Sequence, residues 1–212
     1  MRYLTLTGLP PTLPLFPLAG VLLLPRGGLP LNVFEPRYLS LVDDALAGNR
    51  LIGIIQPAEK DEVLRPKLAR IGCAGRITAF RETDDNRYLI TLTGICRFEL
   101  KENRDTAGGY RAGDCEYSAF ADDLVTQEEE NFSRDRLVEA LRDYLSQNDL
   151  KADWKSIMTA PAETLVNALS MMCPFGGAEK QALLEAPSFD ERVSTLVALL
   201  EMAAAPGPET LN

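Results

Sequence analysis

"PLNVFEPRYLSLVDDALAGN", residues 30–49, changes character halfway along. Residues 30–34 read as a β-strand. From Pro36 the apolar residues Tyr38, Leu41, Val42, Ala45 and Leu46 recur at helical spacing and share one face. Pro36 suits the first turn of a helix over 36–47, and Gly48 suits its stop. At the joint stand Glu35, Pro36 and Arg37. Proline fixes its own φ near about −65° and pushes the preceding residue into an extended conformation, so Glu35 ends the strand. Its carboxylate is favoured at the positive pole of the helix, whereas Arg37 needs a carboxylate or carbonyl partner there. Two readings follow. Arg37 reaches back across the joint and its planar fork locks helix to sheet, or it points outward to catch a peptide carboxylate or an acidic degron. The structural role is favoured, because half-buried pairs usually serve geometry.

Around this switch the first 120 residues punctuate as a β-rich unit. "TLPLF", "VLLLP" and "LPLNVF" read as short strands, with a Gly27-Gly28 turn between the second and third. "LIGIIQP" is a nearly continuous apolar strand, which predicts cover on both faces. "PAEKDEVLRP" is a charged loop. "GRITAFRE", the turn "TDDN" and "RYLITLTG" make a hairpin in which Ile77, Ala79, Tyr88, Ile90 and Leu92 alternate with mostly polar residues. "CRFELKEN" and "YRAGDCEYSAF" form a second pair around "RDTAGG".

From about residue 124 the period becomes helical. Thr126 and Glu129 fit a capping box before a buried face of Leu137, Val138, Leu141, Tyr144 and Leu145. A short helix surrounds Trp154, which reads as a plug in a bundle. Pro161 opens another helix, with Leu165, Val166, Leu169 and Met172 inward, and Met171 and Met172 read as core filler. "AEKQALLEA" adds a helix that Pro187 ends. Ser188 and Glu191 then cap a last helix with Val193, Leu196, Val197 and Leu200 inward. The division predicted is 1–120 β-rich, 121–205 a helical bundle and 206–212 a flexible tail. Strands first and helices after make the fold α+β.

Bulk properties exclude several functions. The 212 residues contain no histidine, so Ser-His-Asp and Cys-His machinery and a histidine pH switch are ruled out. The four cysteines are scattered and read as buried free thiols rather than a metal site, and no cofactor is expected. Residues 1–120 hold 15 Lys and Arg against 14 Asp and Glu, and residues 121–212 hold 7 against 17, so the net charge of −9 sits in the second half. Neither half offers a basic face for nucleic acid. No apolar run reaches the roughly 20 residues that cross a bilayer, no cleavable signal is evident, and a cytoplasmic location is expected. Lys155 and Ser156 are adjacent on a helix and point about 100° apart, so they cannot act as a dyad. No catalytic residue is assigned.

The segments "LPLFPLAGVLLLP", "LPLNVFEPRYLSLV", "LIGIIQP", "RIGCAGRITAF", "RYLITLTGICRF" and "NALSMMCPFGGAEKQALLEAPSFDERVSTLVALL" follow one another over nearly the whole chain. In this order they resemble the Lon protease N-terminal (substrate-binding) domain family, in the form of its small free-standing members. The resemblance implies a PUA-like β pseudo-barrel with one inserted helix, followed by a helical bundle. It also implies a non-catalytic, non-enzymatic module that binds unfolded or degron-bearing polypeptides in protein quality control. A full-length Lon protease is expected as a further partner, and the chain as a monomer or weak homodimer. In full-length Lon such a domain precedes an ATPase and a serine–lysine protease. This sequence contains no G-x-x-x-x-G-K-[ST] phosphate loop and is expected to carry the recognition module alone. RNA or nucleotide binding, by analogy with other PUA-like barrels, is the alternative, and the charge distribution counts against it.

The candidates for peptide binding are apolar residues beside turns. Pro25 and Leu29 flank the Gly27-Gly28 turn, and Phe80 and Tyr88 flank "RETDDN". Side by side, the two turns would make an exposed apolar patch; alternatively these side chains fold back into the barrel.

Overall fold

The computed structural model of the chain describes residues 5–58, 66–125 and 132–205. Two compact units divide it, Met1–Thr126 and Gln127–Asn212. The first contains strands β1 (Thr12–Pro17), β2 (Gly28–Val33), β3 (Leu51–Pro57), β4 (Leu68–Glu82), β5 (Tyr88–Asp105) and β6 (Arg111–Glu116), with helix α1 (Pro36–Ala47) between β2 and β3. The second contains α2 (Arg134–Gln147), α3 (Trp154–Thr159), α4 (Ala162–Met172), α5 (Gly177–Glu185) and α6 (Phe189–Ala204). The fold is α+β, as the change of period predicts.

The strands order as β2-β5-β4-β3-β1-β6, and β5 also pairs with β6. Five strands therefore close into a ring, with β2 added outside it against β5. This is possible because β5 runs for 18 residues. Its first half pairs with β2 and β4, and its second half reaches β6. Only β1 and β3 are parallel, and α1 lies on the crossover between β2 and β3. Leu13, Leu15, Leu51, Ile55 and Phe98 fill the ring. The apolar run of β3 is buried at every position but Pro57. Helix α1 turns Tyr38, Leu41, Val42 and Ala45 inward, with the Tyr38 ring stacked 4.1 Å from that of Phe16.

One expected strand is not built and another ends early. Residues 21–25 form no ladder, although Leu22, Leu23 and Leu24 are almost wholly buried. They cross the sheet where it has no side chains. A Cβ on Gly75 would lie 2.6 Å from Leu23 Cδ2, and one on Gly94 would collide with the Leu24 carbonyl oxygen. An apolar run buried on all sides looks the same in sequence whether it pairs or only packs. The turn also sits earlier than expected, with Arg26 in the left-handed region (φ 64°) and the Gly27 N–H donating to Leu24 O at 2.9 Å.

The second correction concerns residues 117–120. β6 ends at Glu116, and Ser118–Leu124 is a 3₁₀ segment. Asp123 pins it, accepting the Arg97 backbone N–H at 2.8 Å and the guanidinium through Nη2 at 2.9 Å and Nε at 3.0 Å. The same guanidinium lies 4.6 Å from the Phe120 ring.

In the helical unit, α6 packs against α2, α4 and α5. Leu196, Val197 and Leu200 are buried as expected, but the inward residue of the first turn is Arg192, with Val193 only half-buried. Arg192 Nε donates to Leu183 O at 3.1 Å, which explains how a cation sits in this core. Ser188 caps α6 by accepting the Glu191 N–H. Met172 is 80% exposed, not core filler, and Met171 is half-buried. Ser170 is the fully buried residue, and two residues further along a helix a side chain points about 200° away. Trp154 is half-buried under the Arg142 guanidinium at 5.3 Å, a cover rather than a plug. The Thr126–Glu129 capping box, the charged loop at 59–65 and the tail at 206–212 lie outside the described residues. All four cysteines are free and buried.

Candidate functional site

The strand–helix joint is built as the proline dictates. Glu35 is extended (φ −73°, ψ 131°) and Pro36 occupies the first helical turn. Arg37 Nε and Nη2 both donate to Glu35 Oε2, at 3.0 and 2.7 Å, so its carboxylate partner lies two residues back. The two side chains keep 51% and 45% of their surface in solvent, and no buried lock between helix and sheet results. The Arg37 guanidinium also covers the Tyr38 ring at 4.5 Å. It stands at the rim of a cleft of about 400 Å³ whose lining includes Pro17, Tyr38, Asp105, Tyr110 and Arg111.

The expected apolar pair of turns does not form. Pro25 is buried and Leu29 half-buried. Gly28 pairs with Thr93, whereas Tyr88 pairs with Val33 at the other end of β2. The turns are thus five residues apart along β5, about 17 Å at about 3.4 Å per residue. Pro25 and Leu29 belong to one end of this sheet, and Phe80 and Tyr88 to the other.

At that second end Phe80 and Tyr88 do meet. Phe80 is 43% exposed and its ring meets the edge of Tyr88 at 5.0 Å. Phe34, which directly follows β2, is 61% exposed, and the Arg87 guanidinium lies 5.8 Å from its ring. Phe34 was not singled out by the turn argument, because it sits at a strand end rather than in a turn. The register sets Val33 opposite Tyr88, so Phe34 points to the other face of the sheet, beside Arg87 rather than beside Phe80 and Tyr88. Burial raises the Tyr88 hydroxyl above the ordinary tyrosine value, and a hydrogen bond to Asp43 of α1 adds to this. The tip beyond is ordered by Asn86 in the left-handed region (φ 58°) and the Thr83 N–H on Arg87 O at 2.9 Å. Among the described residues no group of three or more Cys, Asp or Glu side chains converges for a metal. No helix among them is long and apolar enough to cross a membrane.

The profile of the ATP-dependent protease La (LON) substrate-binding domain matches residues 12–202. The chain belongs to the Lon substrate-binding domain family. Lon protease 2 of Sorangium cellulosum is 28% identical over 198 residues, which cover 89% of this chain and 24% of that protein. The Lon protease of Desulfosudis oleivorans is 31% identical over 96 residues, 44% of this chain and 12% of that one. The Lon-type domain described here therefore spans a minor part of the relatives it matches. Among solved structures, a Lon N-terminal domain protein from Xanthomonas campestris superposes with a TM-score of 0.61 at 24% identity, covering 88% of this chain and 97% of that one. The N-terminal domain of Mycobacterium avium complex Lon protease gives 0.60 at 15% identity, covering 91% and 97%. Both share the fold. Membership makes this chain a substrate-binding module of the Lon type.

Proposed function

We propose that the β-rich unit captures unfolded or degron-bearing polypeptide segments by apolar contact with Phe80 and Tyr88, without catalysing a reaction. The supporting observation is the Phe80 ring, 43% exposed and set against the half-buried Tyr88 at one end of the β2-β5-β4 sheet. Exposed apolar surface of this kind is uncommon unless it is used. Pro25 has no part in this reading, and Leu29 lies at the far end. The role is that of a recognition module in protein quality control, working with a full-length Lon protease that supplies ATPase and protease activity.

A labelled unfolded polypeptide titrated against wild type and Phe80→Ser tests this. One site of this size gives modest affinity, on the order of micromolar. Removing the Phe80 anchor weakens it about tenfold. The wild-type affinity changes little with salt, whereas binding through phosphates, the RNA alternative, falls steeply. Equal affinity of the two folded proteins would overturn the assignment of the site.

A further inference from the structure

The geometry points to strand addition: an extended polypeptide pairs with the open edge of β4 at Phe80 and Glu82. This deepens the reading above and rests on it. The direction of each peptide group follows from the register. The Thr83 N–H donates to Arg87 O, and along the hairpin Glu82 faces Tyr88, Arg81 faces Leu89 and Phe80 faces Ile90. Peptide groups alternate in direction along a strand, so Arg81 turns its own towards β5 and Phe80 and Glu82 turn theirs away. The other side of β5 agrees. The Gly94 N–H donates to Gly27 O, which makes Gly28 and Thr93 a non-bonded pair and directs Tyr88 and Ile90 towards β2.

Beyond β4 at this level no described residue is paired with it. Its ladder with β3 ends at Arg76, and among the described residues the backbone N–H and C=O of Phe80 and Glu82 have no partner. Residues 78–82 are exposed at five successive positions, so the ribbon is clear of the barrel on both faces. Other open edges are blunted. On β2 the same alternation points Pro30 outward, where it has no N–H to offer. On β5 residues 101–105 carry charge at four of five positions. The β4 edge has no proline and has Phe80 at its centre.

Two donors and two acceptors at alternate residues match an incoming strand and nothing more compact. Such pairing reads the backbone, which every unfolded segment has, while Phe80 and Tyr88 take an apolar side chain from the same segment. The occupant is therefore an extended, apolar stretch of polypeptide.

The test uses a fluorescent eight-residue peptide of alternating valine and threonine, titrated against wild type, Glu82→Ala and Glu82→Pro. The proline variant removes an N–H that the fold does not use and leaves Phe80 and Tyr88 in place. Glu82→Pro is expected to lose about tenfold in affinity, and Glu82→Ala to stay within about twofold. Amide exchange on wild type gives the second readout, with the Phe80 and Glu82 amides protected when peptide is added and Asn32 unaffected. Full affinity of Glu82→Pro, or no protection at Phe80 and Glu82 under saturating peptide, overturns strand addition and leaves apolar capture standing. Protection that rises with protein concentration alone overturns it in favour of a second copy on this edge. Failure of wild type to bind either this peptide or an unfolded polypeptide overturns both readings together.

Discussion

Arg97 meets Asp123 with side chains 6% and 7% exposed, whereas Arg37 meets Glu35 with 51% and 45% in solvent. In water the Coulomb gain of a pair is offset by hydration and side-chain entropy, so Arg37→Ala is expected to cost less than about 1 kcal/mol. Removing one partner of a buried pair leaves the other charge without compensation, and Asp123→Ala is expected to cost about 3–5 kcal/mol. Urea denaturation of the two variants checks the contrast. A larger loss in Arg37→Ala than in Asp123→Ala would contradict it. The joint triplet drew attention in the sequence because proline and two charges are conspicuous side by side. Arg97 and Asp123 stand 26 positions apart, and no local pattern couples them.

Helix α1 is the element most exposed to this kind of test, because two tyrosines tie it down. Tyr88 bonds Asp43, and the Tyr110 hydroxyl donates to Asp44 Oδ2 at 2.6 Å. Tyr88 opens β5 and Tyr110 lies in the turn between β5 and β6, so the helix is tied to both hairpins. Tyr110→Phe is expected to lower stability by about 1 kcal/mol and to speed amide exchange in the second half of α1. Unchanged exchange there would remove Tyr110 from the account. The same helix was legible in the sequence to the residue, since Pro36, a clean apolar stripe and Gly48 all act locally. Residues 21–25 were not legible, because a buried apolar run carries no mark of whether a ladder partner exists. Met172 and Val193 were misplaced for a related reason. At a helix end a shift of one residue turns a side chain by about 100°, and only packing fixes it. The aromatic end of the sheet was half legible: Phe80 and Tyr88 could be named from their turn, but the place of Phe34 on the other face, beside Arg87, follows only from the register of β2 on β5.

At the scale of the whole molecule, both units bury thiols. Burial pushes Cys96 and Cys115 up to about 12 and Cys173 up to about 11, and raises Cys73 as well. Below the ordinary value of 9.0 each thiol is neutral folded or unfolded, so its contribution to stability is fully present there. As pH rises past that value the unfolded chain ionises first, and stability falls until the folded values are reached. By about pH 10 the loss is expected to be roughly 1–1.5 kcal/mol for each of Cys96, Cys115 and Cys173. Urea midpoints across this range, with Cys96→Ala flattening part of the slope, check it; a flat alkaline arm in wild type would contradict it. The closure of the ring carries a different consequence, one of timing. β1 pairs on one side with β3 and on the other with β6, so its last partner is residues 111–116. A ribosome adding about 5–20 residues per second needs roughly 5–20 s to travel from β1 to β6. Throughout that interval the nascent ring stands open along one seam, with Leu13 facing no strand. A domain of a family that binds polypeptide substrates thus passes through synthesis as an incompletely folded chain itself, and a chaperone that shields β1 until β6 emerges would set how much of it folds.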